Sequence, residues 1–305
     1  MMSQPRFRLS VGPIQFHWPR EQMLDFYARI ESSAVDMVYL GETVCSKRRE
    51  LRHQDWLDIA ERLLAAGKEV VFSTLALVEA RSELGYIRKL CSNGRFLVEA
   101  NDMSAVQMLA GDANFVGGAT LNLQNAVAVN RLVDLGLTRW VSPVEMSARV
   151  LGEVRAEVAA SVECEVLGWG RMPLAYSARC YTARAHDVSK DDCGNCCLEY
   201  PDGLMLATRD ADDFLVINGI QTMSARTLCL AQEYRATDLP PDILRISPQA
   251  SDNEAIIELF DAVRMDRIGL ESATEQMQSC AADGLCNGYW HDNAGMLSVD
   301  REANP

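Results

Sequence analysis

Five of the ten cysteines in this 305-residue chain fall in two short, charged stretches. GETVCSKRR carries Cys45 at residues 41–49. SARCYTARAHDVSKDDCGNCC, at 177–197, carries Cys180, Cys193, Cys196 and Cys197. Little between these thiols could build a core, so their crowding points to chemistry. Three kinds are open. Cys193-Gly-Asn-Cys196 has the spacing of half a zinc site, but a second half is missing and the nearest imidazole is His186. An iron–sulfur cluster accepts irregular spacing and one distant thiolate, which suits Cys45 with Cys180-x12-Cys193-x3-Cys197. Disulfide exchange could use Cys193–Cys196 or Cys196–Cys197.

Composition sets the compartment and the partners. The hydrophobic fraction of 48% and charged fraction of 24% are those of a soluble globular protein. No apolar run reaches the roughly 20 residues of a membrane helix, and the N-terminus lacks a secretory pattern. A cytoplasmic location is expected, where thiols stay reduced. The net charge of −14 argues against a nucleic-acid partner.

The elements that must hold the thiols alternate regularly. Strand-like runs at 7–14, 35–41, 69–77, 96–102, 114–122, 138–145, 164–170 and 172–180 are mostly separated by helical patterns. In DWLDIAERLLAAG, Trp56, Ile59, Ala60, Leu63 and Leu64 make one apolar stripe, and Gly67 follows as a cap. Such alternation implies parallel crossovers. The expected fold is α/β, a (β/α) barrel-like single domain over residues 1–305. Its cysteine-rich loop is at 180–197, and a C-terminal elaboration starts at about 198. Within it, 203–220 reads as an antiparallel hairpin, 223–236 as a helix, LPPDILRISPQ as a strand and 254–264 as a helix. In a barrel, functional groups gather at the C-terminal ends of the strands. Cys45 follows one strand and Cys180 ends another, so all five thiols should reach one rim.

GETVCSKRR, SARCYTAR with its C-x12-C-x2-CC loop, and CNGYWH together resemble an iron–sulfur branch of the collagenase-like peptidase superfamily, through almost the whole chain. The resemblance implies a [4Fe-4S] cluster on Cys45, Cys180, Cys193 and Cys197, with Cys196 a bystander. It also implies a heterodimer with a homologous, UbiU-like protein. The pair would support O2-independent ring hydroxylation in anaerobic ubiquinone biosynthesis. The small molecules implied are a ubiquinone precursor and, as oxygen donor, prephenate. Arg179, Lys47, Arg48 and Arg49 flank these cysteines and could offset cluster charge or bind an anionic substrate. The alternatives are a peptidase, the activity that names the superfamily, and a zinc-stapled binding protein without turnover.

The remaining candidates read as structure. Cys91 and Cys229 lie in helical patterns, and Cys164 starts a strand. Cys280 and Cys286 are read as structural thiols. His17, His53, His186 and His291 belong to no catalytic motif. Trp169 reads as core, and Glu42 as a neighbour that could support Cys45. No phosphate-binding loop is present.

Overall fold

The computed structural model describes residues 7–236 and 241–299. Its first half repeats strand and helix: β1 (Arg8–Val11), α1 (Arg20–Ile30), β2 (Met37–Leu40), α2 (His53–Ala65), β3 (Glu69–Ser73), α3 (Arg81–Cys91) and β4 (Leu97–Ala100). Next come α4 (Met103–Leu109), β5 (Phe115–Gly117), α5 (Ala126–Val133), β6 (Leu137–Val141), α6 (Ala148–Glu157) and the long β7 (Glu163–Tyr176). After the thiol loop, which contains α7 (Tyr181–Ala185), lie β8 (Leu204–Ala207), β9 (Asp213–Asn218), β10 (Gln221–Cys229) and α8 (Ala231–Ala236). The chain ends its described part with β11 (Ile243–Ile246), α9 (Asn253–Arg264), α10 (Leu270–Ser279) and β12 (Leu285–Cys286).

The expected (β/α) barrel is present. Strands β1 to β7 pair in parallel in sequence order, and β11 pairs in parallel with both β7 and β1, closing eight strands. The helices pack outside through the stripes the sequence carries. Trp56, Ile59, Ala60 and Leu63 of α2 are buried, and Gly67 ends that segment with φ +82°. Their apolar faces meet the outward residues of the strands in one large core. Inside the barrel, Met37, Tyr39, Val71, Val116, Val141 and Ile243 form a second, smaller cluster.

Ionic groups share that interior. Arg245 Nε donates to Glu165 Oε1 at 2.8 Å, and Ser10 Oγ donates to the same oxygen at 2.6 Å. Tyr39 donates to Glu165 Oε2, and Arg139 Nη1 donates to Tyr39 Oη at 3.2 Å. Burial would raise Glu165, but Arg245 and Arg139 outweigh it and hold the carboxyl below its ordinary value.

Three expectations need correction. The runs at 164–170 and 172–180 are one strand, β7, not two. Its first part pairs with β6 and β11, and its second part pairs with β10. Gly170, at φ +126°, stands at the turnover; a β-carbon there would lie 2.6 Å from Ser247 Cβ. Second, the strand stops at Tyr176, so Cys180 does not end it; Cys180 is the N-cap of α7. Third, the helix expected over 223–236 is confined to α8, and 221–229 is a strand. Met, Ala and Leu favour helix locally, but pairing of β10 with β7, β9 and β12 prevails. The 203–220 hairpin and the 254–264 helix stand as read. LPPDILRISPQ supplies the closing strand β11; its Leu239 and Pro240 lie outside the described residues.

Candidate thiol site on the barrel rim

Loops that follow the C-terminal ends of β1, β2 and β7 meet on one side of the barrel mouth. The β2 loop is shaped by Glu42, whose Oε1 accepts from the N–H groups of Val44 at 2.8 Å and Cys45 at 2.9 Å. The expected supporting role of Glu42 is therefore a backbone brace. Burial raises its pKa, against Arg48 and these N–H groups. The loop after β7 is pinned at both ends. Tyr181 N–H donates to the Gly219 carbonyl at 2.8 Å, and Trp18 Nε1 donates to the Pro201 carbonyl at 2.8 Å. Lys47 Nζ joins the two thiol loops directly, 2.6 Å from the Lys190 carbonyl and 2.8 Å from Asp191 Oδ1.

All five thiols named from the sequence are half-buried and unoxidised. Their mutual influence shows how they are grouped. Burial pushes the Cys197 thiol up to about 11, Arg48 opposes this, and Cys45 and Cys196 add to it. Burial also raises Cys196, with Cys193 and Cys180 contributing. Burial raises Cys45. Cys197 thus feels Cys45 across the two loops, and Cys196 feels its neighbours within one loop. Among the described residues, no three Cys, His, Asp or Glu side chains stand at the mutual distances of a closed metal site.

The basic run has a different role from the substrate patch considered above. Arg48 is buried; its Nη1 donates to the Gln15 carbonyl at 2.6 Å and its Nη2 to Asn218 Oδ1 at 2.7 Å. It clamps the β1 loop, the β2 loop and the β9–β10 turn together. Lys47 is paired with Asp191, while Arg49 is exposed and returns to the Ser46 carbonyl. Arg179 is exposed.

His17, in no catalytic motif, stands at this site. It is 2% exposed, with Nδ1 3.1 Å from Cys197 Sγ and Nε2 3.3 Å from Glu50 Oε1. Burial, then Arg48, lowers its pKa to about 4, so the ring is neutral at pH 7. Its place in a loop just after a barrel strand was the available signal. His186 is held by Tyr200 (Nε2 to Oη 3.1 Å), and Trp169 packs in the core against Phe260.

The other thiols are structural in their surroundings. Cys164, Cys229 and Cys286 are buried, and burial raises each to about 12. Cys229, expected on a helix, ends β10. These three are expected to resist iodoacetamide at pH 8 until the chain unfolds, as mass spectrometry of labelled peptides would read. A thiol raised on folding stabilises below its unfolded pKa, near 9. Stability should therefore decline as pH rises from about 9 towards 12. Rapid labelling of folded protein would contradict this placement.

The donor set, thiols alone, suits an iron–sulfur centre in its chemistry. The four thiols are half-buried on two loops that Lys47 ties together. Arg48 Nε is buried without a hydrogen-bond partner, and the Arg48 charge acts on both Cys45 and Cys197. Comparison with known proteins places the chain more broadly. Peptidase family U32 matches residues 22–297. A solved structure titled as the U32 peptidase Mk0906 is 12% identical, with 83% of this chain and 96% of that one covered and a TM-score of 0.46.

Proposed function

The chain belongs to peptidase family U32, and from that premise we propose that it is a UbiV-type iron–sulfur protein. In this reading it works with a UbiU-like homologous partner in O2-independent ring hydroxylation during ubiquinone biosynthesis. The observation that supports the proposal is that five half-buried thiols lie on two loops tied by Lys47, with the buried Arg48 beside Cys45 and Cys197. Cys45, Cys180, Cys193 and Cys197 would hold a [4Fe-4S] cluster, which when bound supplies one-electron redox chemistry. Cys197 is chosen over Cys196 because it is the more deeply buried of the pair and stands against Arg48, His17 and Cys45. The chain's own part is electrostatic and positional. Arg48 places a fixed positive charge beside the thiolates, and Glu42 holds the Cys45 loop by its backbone.

The test is genetic and biochemical. A strain lacking this chain, grown without O2, should lose ubiquinone and regain it with the wild-type chain. The chain should also copurify with its partner. Undiminished ubiquinone in the deletion strain would overturn the proposal.

One observation favours a second reading. Cys197, His17 and Glu50 form a thiol–imidazole–carboxylate series, the arrangement of a thiol peptidase. Against it, His17 is held neutral and Cys197 protonated, the reverse of an activated ion pair. Casein hydrolysis by the metal-free chain, abolished by Cys197→Ala and by His17→Ala, would establish the peptidase.

A further inference from the structure

Cys196 has no part in the four-ligand assignment, yet the backbone ties it closely to a cysteine that does. Cys193, Gly194, Asn195 and Cys196 make a tight turn, in which the Cys196 N–H donates to the Cys193 carbonyl at 3.1 Å. Both central residues are left-handed: Gly194 has φ +55°, and Asn195 has φ +59° and ψ +35°. Two positive φ values in succession mark a turn of the I′ kind, and glycine and asparagine are the residues that hold them at least cost. Cys196 also begins a 3₁₀ turn, Cys196–Glu199, so its backbone is fixed on both sides.

Such a turn brings its ends together. The first and last α-carbons of a four-residue turn lie within about 7 Å of each other. A disulfide spans about 4.4–6.8 Å between α-carbons, so Cys193 and Cys196 stand at bridging range. Other pairings within the loop are poorer. Cys196 and Cys197 are neighbours, and consecutive α-carbons are only ~3.8 Å apart, below that range. Cys197 Sγ stands 3.1 Å from His17 Nδ1, and Cys180 Sγ accepts from the Ala183 N–H at 3.4 Å, so each is engaged elsewhere. Cys193 and Cys196 are half-buried, while Asp191, Asp192 and Gly194 around them are exposed, which leaves the turn open to a small reagent.

We propose that Cys193 and Cys196 form a reversible disulfide across this turn, by exchange with a low-molecular-weight disulfide. The sulfur of one cysteine attacks the S–S bond of the reagent, which breaks and releases one small thiol. The sulfur of the other then attacks the mixed disulfide, forming the Cys193–Cys196 bond and releasing the second small thiol. The two cysteines are oxidised, the reagent is reduced, and the two thiol protons leave with its halves. The pair needs no metal. A further consequence rests on the reading given under Proposed function. The bond withdraws Cys193 from the four ligands, so Cys196, otherwise spare, is the thiol that closes the site to iron.

Oxidised glutathione mixed with the reduced, metal-free full chain in the absence of O2 tests this. Alkylation and mass spectrometry of the tryptic peptide 191–209, which holds Cys193, Cys196 and Cys197, read the product. The wild-type peptide should carry an internal disulfide, and so should that of Cys197→Ala. Cys196→Ala should instead retain glutathione on Cys193. Gly194→Val with Asn195→Val, whose branched side chains resist positive φ, should raise by at least ~10-fold the ratio of oxidised to reduced glutathione needed for closure. Stable glutathione on Cys193 or Cys196 of the wild type, an internal disulfide that persists in Cys196→Ala, or closure unchanged by the two valines would each overturn the proposal. Reconstitution separates it from the cluster reading. The oxidised chain should take up iron and sulfide only after reduction, and loading without reduction would overturn the closing role. A reduced chain that never loads iron would overturn the cluster reading and leave the disulfide standing.

Discussion

Cys45→Ala, Cys180→Ala, Cys193→Ala and Cys197→Ala are each expected to reduce bound iron and sulfide to background, while Cys196→Ala keeps them. A cubane centre needs a thiolate at each iron, and the chain offers few substitutes. His17 touches Cys197 and is tied on its other nitrogen to Glu50. Neighbouring residues 196 and 197 cannot both reach one centre with the same geometry, so one of them should be silent. The five thiols lie outside the buried core, and their removal should leave folding intact. Thermal melts of the metal-free variants should therefore match the wild type. Iron retained in Cys197→Ala and lost in Cys196→Ala would reverse the assignment of that pair.

Arg48→Met should have the largest effect on stability of any change near the site. It removes the guanidinium that joins Gln15, Asn218 and, at 3.9 Å, Glu42. The half-buried Glu42 carboxyl would then lack its counter-charge. Removal of one partner from a buried pair costs about 3–5 kcal/mol. Chemical denaturation of the metal-free chain would measure it. Arg48→Lys keeps the charge but cannot span both acceptors, so it should recover only part of the loss. A cost below about 1 kcal/mol would show that the three loops are held by other contacts. A normal iron content in a folded Arg48→Met protein would remove Arg48 from the account of the centre and leave it purely structural.

The barrel was legible because its signals are periodic. The stripe on α2 and the apolar runs of β2 and β3 mark those segments as core elements before any contact is known. The thiol loops were legible by residue type, and their position after strands followed from the barrel. What escaped had no local signal. The continuity of β7 depends on Gly170 passing close to Ser247, a contact 77 residues away in the chain. The strand at 221–229 carries helix-forming residues, and only its three partners make it extended. His17 and Cys197 are separated by 180 residues, so no spacing could have joined them. The basic run misled in the opposite sense. Adjacent Lys47, Arg48 and Arg49 look like one surface, yet Arg48 is buried, Lys47 is paired and Arg49 is exposed. Charge in sequence reports composition; the loop's own turn decides which groups meet solvent.

The most direct test of the thiol site is metal analysis of the wild-type chain purified without O2, with iron, acid-labile sulfide and zinc measured on the same sample. Roughly four iron and four sulfide per chain, with an electron paramagnetic resonance signal on reduction, are expected for a [4Fe-4S] centre. Zinc alone, or a folded chain that binds neither iron nor sulfide after reconstitution, would contradict the central claim.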